Sequence, residues 1–296
     1  MIILGTRGSD LARAQTSLVQ AALANIETAV EIIRTSGDER SGRSPEPVDR
    51  RAGRKGMFTA EIERALLERR IDVAVHSAKD LPSEMTPGLE ICAALPRAPI
   101  EDVLITKEPQ EVRLGGIVAT GSVRRQHQLR LFRADVNVVD LRGNVPTRLR
   151  KLIANDWDGI ILARAGLERL GFDGMCDGHQ LHVSTLAREQ FLPAGGQGIV
   201  ALQIRSDDDE TRAAIEKISD DAALRSLRAE REFLRLLQGD CGTPVGVLAT
   251  LANGAMEMRA QIFDDGSAQP RAAALRKENP EPEALAAELF TLINGR

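Results

Sequence analysis

In the first third of the chain, apolar residues alternate with polar ones as in half-buried strands, and helical patterns separate these runs. The pattern predicts strands at residues 2–5, at residues 30–34 and from Ile71 onward. It also predicts helices from Asp10 and over residues 59–70. This alternation of strands and helices is typical of an α/β domain.

A second stretch repeats the pattern, with predicted strands at residues 117–119, 136–141 and 159–163 and predicted helices at residues 123–132 and 146–154. Asn144 suits the cap of the second of these helices, and Pro146 suits its first turn. The sequence therefore predicts a second α/β block.

The last third of the chain has a different pattern. It predicts a long helix over residues 221–238, and the apolar face of this helix consists of Leu224, Leu227, Phe233 and Leu237. Strand-like runs follow at residues 245–251, 257–263 and 272–275, with hairpin signals at Asn253-Gly254 and Asp265-Gly266, and a final helix is predicted at residues 283–293. These elements predict a small α+β domain.

Residues 36–56 are rich in Gly, Pro, Ser and Arg and contain almost no apolar residue. A stretch of this length without predicted helix or strand is either disordered or a functional loop. We interpret it as a mobile loop of the kind that serves as an active-site lid.

The strand from Ile71 leads directly into Lys79 and Asp80, so an ammonium and a carboxylate stand side by side at its end. Pro82 prevents simple continuation as a helix or a central strand. Because α/β proteins keep their chemistry at such strand ends, a pocket is predicted here. The alternative is an exposed ion pair on a solvated turn, which is common and weak.

The composition places limits on the class of protein. With 296 residues the chain is long enough for two or three domains. Its three cysteines are odd in number and widely spaced, which favours a reducing compartment over a disulfide framework. The first residues lack the pattern of a secretory signal, and no apolar run approaches the roughly 20 residues of a membrane span. We expect a soluble cytoplasmic protein without a membrane partner.

The net charge of −4 conceals an arginine-rich segment between Thr120 and Lys151. Arginine offers a rigid fork of donors that matches carboxylate or phosphate groups, so the segment indicates a polyanionic ligand. Nucleic acid is disfavoured, because the chain has no Tyr, one Trp and 3% aromatic residues with an acidic balance of charge. A small anion with several carboxylates fits better.

Three strand-to-helix turns carry candidate anion-binding groups. The turn at residues 5–10 offers Arg7 and backbone amides at a helix N-terminus, although capping explains Ser9 by itself. The turn at residues 120–125 offers two hydroxyls and two guanidinium groups, and the turn at residues 141–149 adds two more arginines. Because consecutive helical residues face different directions, one of Arg124 and Arg125 is expected to be only solvated.

Cys241 lies in a glycine-flanked loop, where its thiol is a candidate nucleophile or attachment point. The alternative is a small buried residue without chemistry, which is the commoner case for a lone cysteine. Cys176, His179 and His182 have ligand-like spacing, but three such residues without a second cluster make a poor zinc site. His76 and His127 are expected to be packed or solvated rather than catalytic.

These separate motifs, taken together, resemble the porphobilinogen deaminase family, also called hydroxymethylbilane synthases. The resemblance spans nearly the whole chain in order, and it rests on the sequences at residues 76–82, 121–126, 141–145 and 193–198 and on the Cys241 loop. It implies a fold of two doubly wound α/β domains resembling periplasmic binding proteins, plus a small C-terminal α+β domain. The implied limits are residues 1–96 with about 193–214, residues 97–192, and residues 215–296.

The resemblance implies a transferase that condenses four porphobilinogen molecules head to tail, with loss of ammonia, into hydroxymethylbilane for porphyrin and heme biosynthesis. Cys241 matches the cysteine that holds a dipyrromethane cofactor through a thioether, and Asp80 matches the catalytic carboxylate. No metal is implied, and we expect a monomer. The side chains that match cofactor and substrate contacts are Arg7, Ser9, Gln15, Lys55, Lys79, Thr120, Ser122, Arg124, Arg125, Arg142, Arg148, Arg169 and Gln197.

The sequence departs from the family pattern at three places. Arg54 replaces a usual glycine at the end of the lid, Gly121 replaces a usual serine, and residues 97–102 form a less charged hinge. The rival hypothesis is a two-lobed module that clamps an anionic metabolite without turnover, and such a module needs neither Cys241 nor Asp80. A nucleic-acid binder would instead show steeply salt-dependent association.

Overall fold

The computed structural model describes residues 1–35, 59–109, 111–238, 243–264 and 269–295. The strands are β1 Ile2–Arg7, β2 Thr28–Ile33, β3 Val73–Ser77, β4 Leu89–Ala94, β5 Asp102–Thr106, β6 Ile117–Ala119, β7 Asn137–Val139, β8 Gly159–Ala163, β9 Met175–Cys176, β10 His179–Gln180, β11 His182–Thr185, β12 Val200–Arg205, β13 Val245–Ala252, β14 Ala255–Ile262 and β15 Arg271–Glu278. The helices are α1 Asp10–Ala22, α2 Ala60–Leu67, α3 Val123–Phe132, α4 Val145–Ala154, α5 Arg164–Arg169, α6 Asp209–Ile215, α7 Asp221–Leu236 and α8 Pro282–Asn294. Short 3-10 turns span Ala78–Asp80 and Glu216–Ile218.

The first sheet has the strand order β2-β1-β3-β12-β4. Strands β1, β2 and β3 run parallel, whereas β12 is antiparallel to both of its neighbours. Val19 of α1 and Leu23, which follows the helix, pack on one face, and α2 packs through Ile62 and Leu66 on the other. Apolar side chains therefore cover both faces, as expected of a doubly wound sheet.

The second sheet has the order β11-β5-β8-β6-β7 and also carries helices on both faces. Leu149 and Leu152 of α4 pack in the cluster on one face, and Leu129 of α3 packs in the cluster on the other. The chain leaves the first sheet after β4, builds the second sheet, and returns to the first at β12. Two connections therefore cross between the sheets.

The last part of the chain forms a three-stranded antiparallel sheet, β13-β14-β15, covered by α7 and α8. Asn253 and Gly254, with φ of 51° and 80°, make the two-residue turn between β13 and β14 that the sequence predicts. The predicted Asp265-Gly266 turn lies outside the described residues. The expected fold class, two doubly wound domains and a small α+β domain, is confirmed.

Local sequence signals account for most helix starts. Ser9, Ser122 and Asn144 cap α1, α3 and α4, each accepting a backbone N–H with its side chain. The predicted strand from Ile71 begins instead at Val73, and strands β4, β5, β11 and β12 were not predicted. Every residue of β12 is buried, including the polar Gln203 and Arg205, so its polar positions do not mark a solvent-exposed face.

Candidate functional site

The candidate catalytic turn follows β3 directly. Ala78–Asp80 form a single 3-10 turn, and Leu81 continues in an extended conformation before Pro82. The side chain of Asp80 is 39% exposed, and its Oδ2 lies 4.0 Å from Nη1 of Arg7 at the end of β1. The carboxylate therefore faces a cation from the neighbouring parallel strand while it remains open to solvent.

Asp80 lies in a small cleft at the carboxyl ends of β1 and β3, and Arg7, Ser9, Gln15 and Ser77 share in its lining. Gln15 is almost fully buried, and its Nε2 donates a hydrogen bond of 2.7 Å to Oγ of Ser77. Ser9 accepts the backbone N–H of Ala12, so the capping role weighed from the sequence is present. Four predicted residues of the first α/β domain, Arg7, Ser9, Gln15 and Asp80, thus converge on one cleft.

His76 also lines this cleft and is held by a buried chain of polar groups. Nε2 of Gln203 donates to Oε1 of Glu63 at 2.9 Å, so Oε1 of Gln203 faces Nε2 of His76 at 3.0 Å. This arrangement requires the hydrogen of a neutral imidazole to be on Nε2. The pKa of His76 is lowered from 6.5 to about 4, mainly by burial and to a smaller extent by the positive charges of Arg231 and Arg7, while the hydrogen bond to Gln203 opposes the shift.

Lys79 lies beside a second cluster of predicted residues, which includes Arg125 and is described below. Its pKa is lowered from 10.5 to about 8, mainly by burial and then by the positive charge of Arg125, although Asp80 and Asp102 oppose the shift. The ammonium is therefore held among like charges, in the way expected where anionic groups bind.

The glycines before β12 allow the backbone to approach this turn closely. Gly196 has φ of 75°, and a Cβ added to it would lie 2.9 Å from the backbone nitrogen of Lys79. A Cβ on Gly198, which has φ of 87°, would lie 2.4 Å from the carbonyl oxygen of Ala98. Only glycine tolerates both conditions, so the loop packs against the catalytic turn and the hinge.

Both Arg124 and Arg125 are buried, so the expectation that one of them is only solvated is wrong. Nη1 of Arg124 lies 2.8 Å from Oδ2 of Asp102, and Nη2 of Arg125 lies 2.7 Å from Oδ1 of the same carboxylate. Helix geometry does separate the two side chains, but the fully buried Asp102 at the start of β5 receives both. Their predicted contacts with a ligand stay a prediction.

Gln197 joins this cluster from the returning loop, because its Nε2 donates to Oδ1 of Asp102 at 3.0 Å and to the carbonyl oxygen of Ile100 at 2.7 Å. Thr120 and Ser122 shape the turn before α3. Oγ1 of Thr120 accepts the N–H of Ser122, and Ser122 caps the helix. These hydroxyls hold the backbone from which the two arginines project.

Three further predicted arginines surround the cluster. Arg142 is half exposed, and its Nε donates to Oδ2 of Asp140 at 2.8 Å. Arg148 donates to the carbonyl oxygen of Gly143, and burial together with the charge of Arg125 lowers its pKa from 12.5 to about 10. Arg169 donates to the carbonyl oxygen of Gly198 at 2.6 Å, which ties α5 to the returning loop.

Comparison with known proteins identifies this arrangement. Residues 2–213 match the family profile described as porphobilinogen deaminase, dipyromethane cofactor binding domain, and residues 224–292 match the profile of the porphobilinogen deaminase C-terminal domain. The chain belongs to the porphobilinogen deaminase family. The resemblance inferred from the motifs is thereby confirmed.

Curated porphobilinogen deaminases are similar to this chain over most of their length. A porphobilinogen deaminase of Syntrophomonas wolfei is 38% identical over 293 residues, covering 97% of the chain and 92% of the relative. A porphobilinogen deaminase of Roseiflexus sp. is 41% identical over 268 residues, covering 88% of the chain and 85% of the relative.

Solved structures resemble the chain more distantly. The methionine-binding protein MetQ has a TM-score of 0.42 and 11% identity, covering 76% of the chain and 90% of MetQ. An arginine periplasmic binding protein from Legionella pneumophila has a TM-score of 0.41 and 14% identity, covering 80% of the chain and 97% of that protein. The fold assignment rests instead on the sheet topology given above.

The departure of this porphobilinogen deaminase family member at Gly121 has a local explanation. A Cβ at residue 121 would lie 2.5 Å from the carbonyl oxygen of Leu141, so a serine would require the backbone there to shift. A second departure, Arg54, lies outside the described residues, as do Lys55, Cys241 and the predicted lid.

Sequence reasoning missed two buried carboxylates that organise the site. Glu230 is fully buried, and it pairs with Arg97 of the hinge through Oε1 at 2.7 Å. It stands three residues from both Leu227 and Phe233, so a carboxylate on the apolar face of a helix was the available signal. Asp102 offered a weaker signal, as one acidic residue at the start of an apolar run.

Cys176 and His179 pair across the β9–β10 hairpin. In the part of the chain that the structure describes, no group of three His, Cys, Asp or Glu side chains could hold a metal ion. Among the same residues, no helix is both long and apolar enough to cross a membrane.

Proposed function

We propose that this chain is a hydroxymethylbilane synthase, a transferase that joins four porphobilinogen molecules head to tail with loss of ammonia. The observation that carries the proposal is the position of Asp80, a solvent-accessible carboxylate 4.0 Å from Arg7 in a cleft beside the buried arginine cluster. Membership of the porphobilinogen deaminase family supports the same activity.

The chemistry of porphobilinogen explains why a carboxylate is needed. Loss of ammonia from its aminomethyl group leaves a cationic azafulvene, and Asp80 is suited to stabilise that positive charge. The same carboxylate can accept a hydrogen bond from the departing ammonium group, because it is ionised beside Arg7 and open to solvent on its other side. Arg7 keeps it oriented in the cleft.

The acetate and propionate groups of each pyrrole explain the cluster of cations. Buried carboxylates require paired, hydrogen-bonded cations, since isolated charges are costly to bury. Nε of Arg124, Arg125 and Arg169 is buried without a hydrogen-bond partner among the described residues. These donors suit carboxylates, so the residues present fit a dipyrromethane cofactor.

We assign the side chains that hold the cofactor and substrate as those predicted from the motifs. Arg7, Ser9, Gln15 and Lys79 serve on the first domain, and Thr120, Ser122, Arg124, Arg125, Arg142, Arg148 and Arg169 on the second. Lys55 and Gln197 complete the set, and Cys241 is the attachment point.

When bound, the dipyrromethane supplies the free pyrrole carbon to which the first substrate is joined. We further propose the domain limits 1–96 with 193–214, 97–192 and 215–296, a monomeric state and a cytoplasmic location.

The intact mass of denatured protein tests this proposal. Wild type should carry an excess equal to two pyrrole units, and Cys241→Ser should lack it. Cys176→Ser is the matched control and should carry the same excess as wild type. An unmodified wild type, even after incubation with porphobilinogen, would instead favour the anion-binding module without turnover.

A further inference from the structure

A single buried carboxylate connects three separate segments of the chain. Asp102 is fully buried at the start of β5, where the hinge ends. Its Oδ1 accepts Nη2 of Arg125 at 2.7 Å and Nε2 of Gln197 at 3.0 Å, and its Oδ2 lies 2.8 Å from Nη1 of Arg124. The strand, the start of α3 and the returning loop therefore meet at this carboxylate.

The charges at this junction depend on one another. Burial by itself would raise the pKa of Asp102, but the guanidinium groups of Arg124 and Arg125 outweigh it and hold the pKa well below its usual range. The pKa of Arg124 is lowered by burial and by the charge of Arg125, while Asp102 opposes that shift. Without the carboxylate, two adjacent buried cations would repel each other.

The hydrogen bonds also fix the direction of each guanidinium group. Nη1 of Arg124 donates to the carbonyl oxygen of Leu192 at 2.7 Å, and Nη1 of Arg125 donates to that of Ile161 at 3.0 Å. Both arginines therefore use their terminal nitrogens to bind protein groups. Their Nε atoms are buried and have no hydrogen-bond partner among the described residues.

We infer that Asp102 is a positioning residue that orients Arg124 and Arg125 so that their unpartnered Nε–H groups meet the carboxylates of bound pyrroles. This inference rests on the proposed function. Asp102 itself touches no substrate, because it is enclosed by the two arginines and Gln197. It sets the geometry of the anion site from the point where the two α/β domains connect.

The test is Asp102→Asn, which keeps the shape of the side chain and removes its charge. Asp135→Asn is the control, since Asp135 pairs with Arg133 at the surface of the same domain. We expect a folded Asp102→Asn protein whose KM for porphobilinogen rises at least about tenfold, with a smaller change in kcat per loaded molecule. Loss of cofactor from a protein with an intact circular dichroism spectrum would support the inference equally.

Normal cofactor content and unchanged KM in Asp102→Asn, with only a lowered Tm, would overturn the inference and leave a purely structural role. If Asp102→Asn does not fold, two variants replace it: the single variant Arg124→Gln and the double variant that combines Arg124→Gln with Asp102→Asn. The double variant is suitable because it has the net charge of wild type. A double variant with lower turnover than Arg124→Gln supports the inference, and equal turnover overturns it. A wild type without cofactor or conversion would instead refute the proposed function.

Discussion

At the scale of single residues, the site separates groups that react from groups that hold them. Asp80 is partly exposed, and Nη1 of Arg7 lies 4.0 Å from its Oδ2, so part of its carboxylate is accessible to solvent. His76 and Gln15 are buried and committed to hydrogen bonds with neighbouring side chains. Availability to solvent therefore distinguishes the candidate catalytic residue from these two buried neighbours.

We predict that Asp80→Asn lowers kcat per loaded molecule at least about 100-fold, because a neutral amide cannot stabilise a developing cation. The Tm should change little, since the side chain is 39% exposed and its ion pair is long. Steady-state kinetics with porphobilinogen measures the effect. Asp207→Asn, an exposed carboxylate paired with Arg69, is the control. Near-normal turnover of Asp80→Asn would remove Asp80 from the catalytic role.

We predict that His76 makes the protein less stable in acid. Its pKa falls from 6.5 to about 4 on folding, so the unfolded chain binds a proton that the folded chain lacks between these pH values. The free energy of unfolding should therefore fall by about 3 kcal/mol as the pH drops through this window. Urea unfolding at a series of pH values measures the slope.

His76→Gln should reduce that acid slope, because glutamine does not titrate. His179→Gln is the matched control, since His179 is exposed in the β9–β10 hairpin, and it should keep the wild-type slope. An acid slope that is the same in His76→Gln and wild type would contradict the predicted burial of a neutral imidazole.

At the scale of elements, α7 connects the third domain to the hinge and the returning loop. Both oxygens of Glu230 are used. Oε1 accepts Nη1 of Arg97 and the N–H of Ala249, whereas Oε2 accepts Nη2 of Arg97 and the N–H of Gly196. One carboxylate on a helix thereby fixes the hinge, the loop that packs on the catalytic turn, and strand β13.

We predict that Glu230→Gln destabilises the protein by about 3–5 kcal/mol, because the largely buried guanidinium of Arg97 loses a fully buried counter-ion. The amide nitrogen of the new glutamine would also face a backbone N–H donor, because each oxygen of Glu230 accepts one. Glu232→Gln on the same helix is the control, since its pair with the half-exposed Arg235 should contribute about 1 kcal/mol or less. Urea unfolding measures both, and equal losses in the two variants would contradict the prediction.

At the scale of the whole molecule, cations from two domains gather beside one cleft. Lys79 has a pKa lowered to about 8 and Arg148 one lowered to about 10, in each case by burial and by the charge of Arg125. The folded chain by itself therefore contains like charges held close together, and a ligand with several carboxylates would relieve their repulsion.

We predict that Cys241→Ser, which cannot hold the cofactor, has a Tm several degrees below that of loaded wild type, because a bound ligand stabilises the folded state. Cys176→Ser loses a thiol but keeps the attachment point, so it should melt with wild type. Differential scanning calorimetry measures the three values. If Cys241→Ser and loaded wild type melt together, the cluster does not gain stability from the cofactor.

The sequence by itself determined the repeated α/β pattern, the strand that leads into Lys79 and Asp80, and the arginine-rich turns. Periodicity and turn residues act over a few neighbouring positions, so one chain is enough to reveal them. The short motifs also carried the resemblance to the porphobilinogen deaminase family, which the family profiles confirm.

Only the tertiary structure decided how the arginines are held. Asp102 meets Arg125 across 23 positions of the chain and Gln197 across 95, and Glu230 meets Arg97 across 133. No local pattern encodes such pairings, because they arise when the chain crosses twice between two sheets and brings distant segments together. Burial then turns these carboxylates from ordinary acidic residues into the fixed counter-ions of the site.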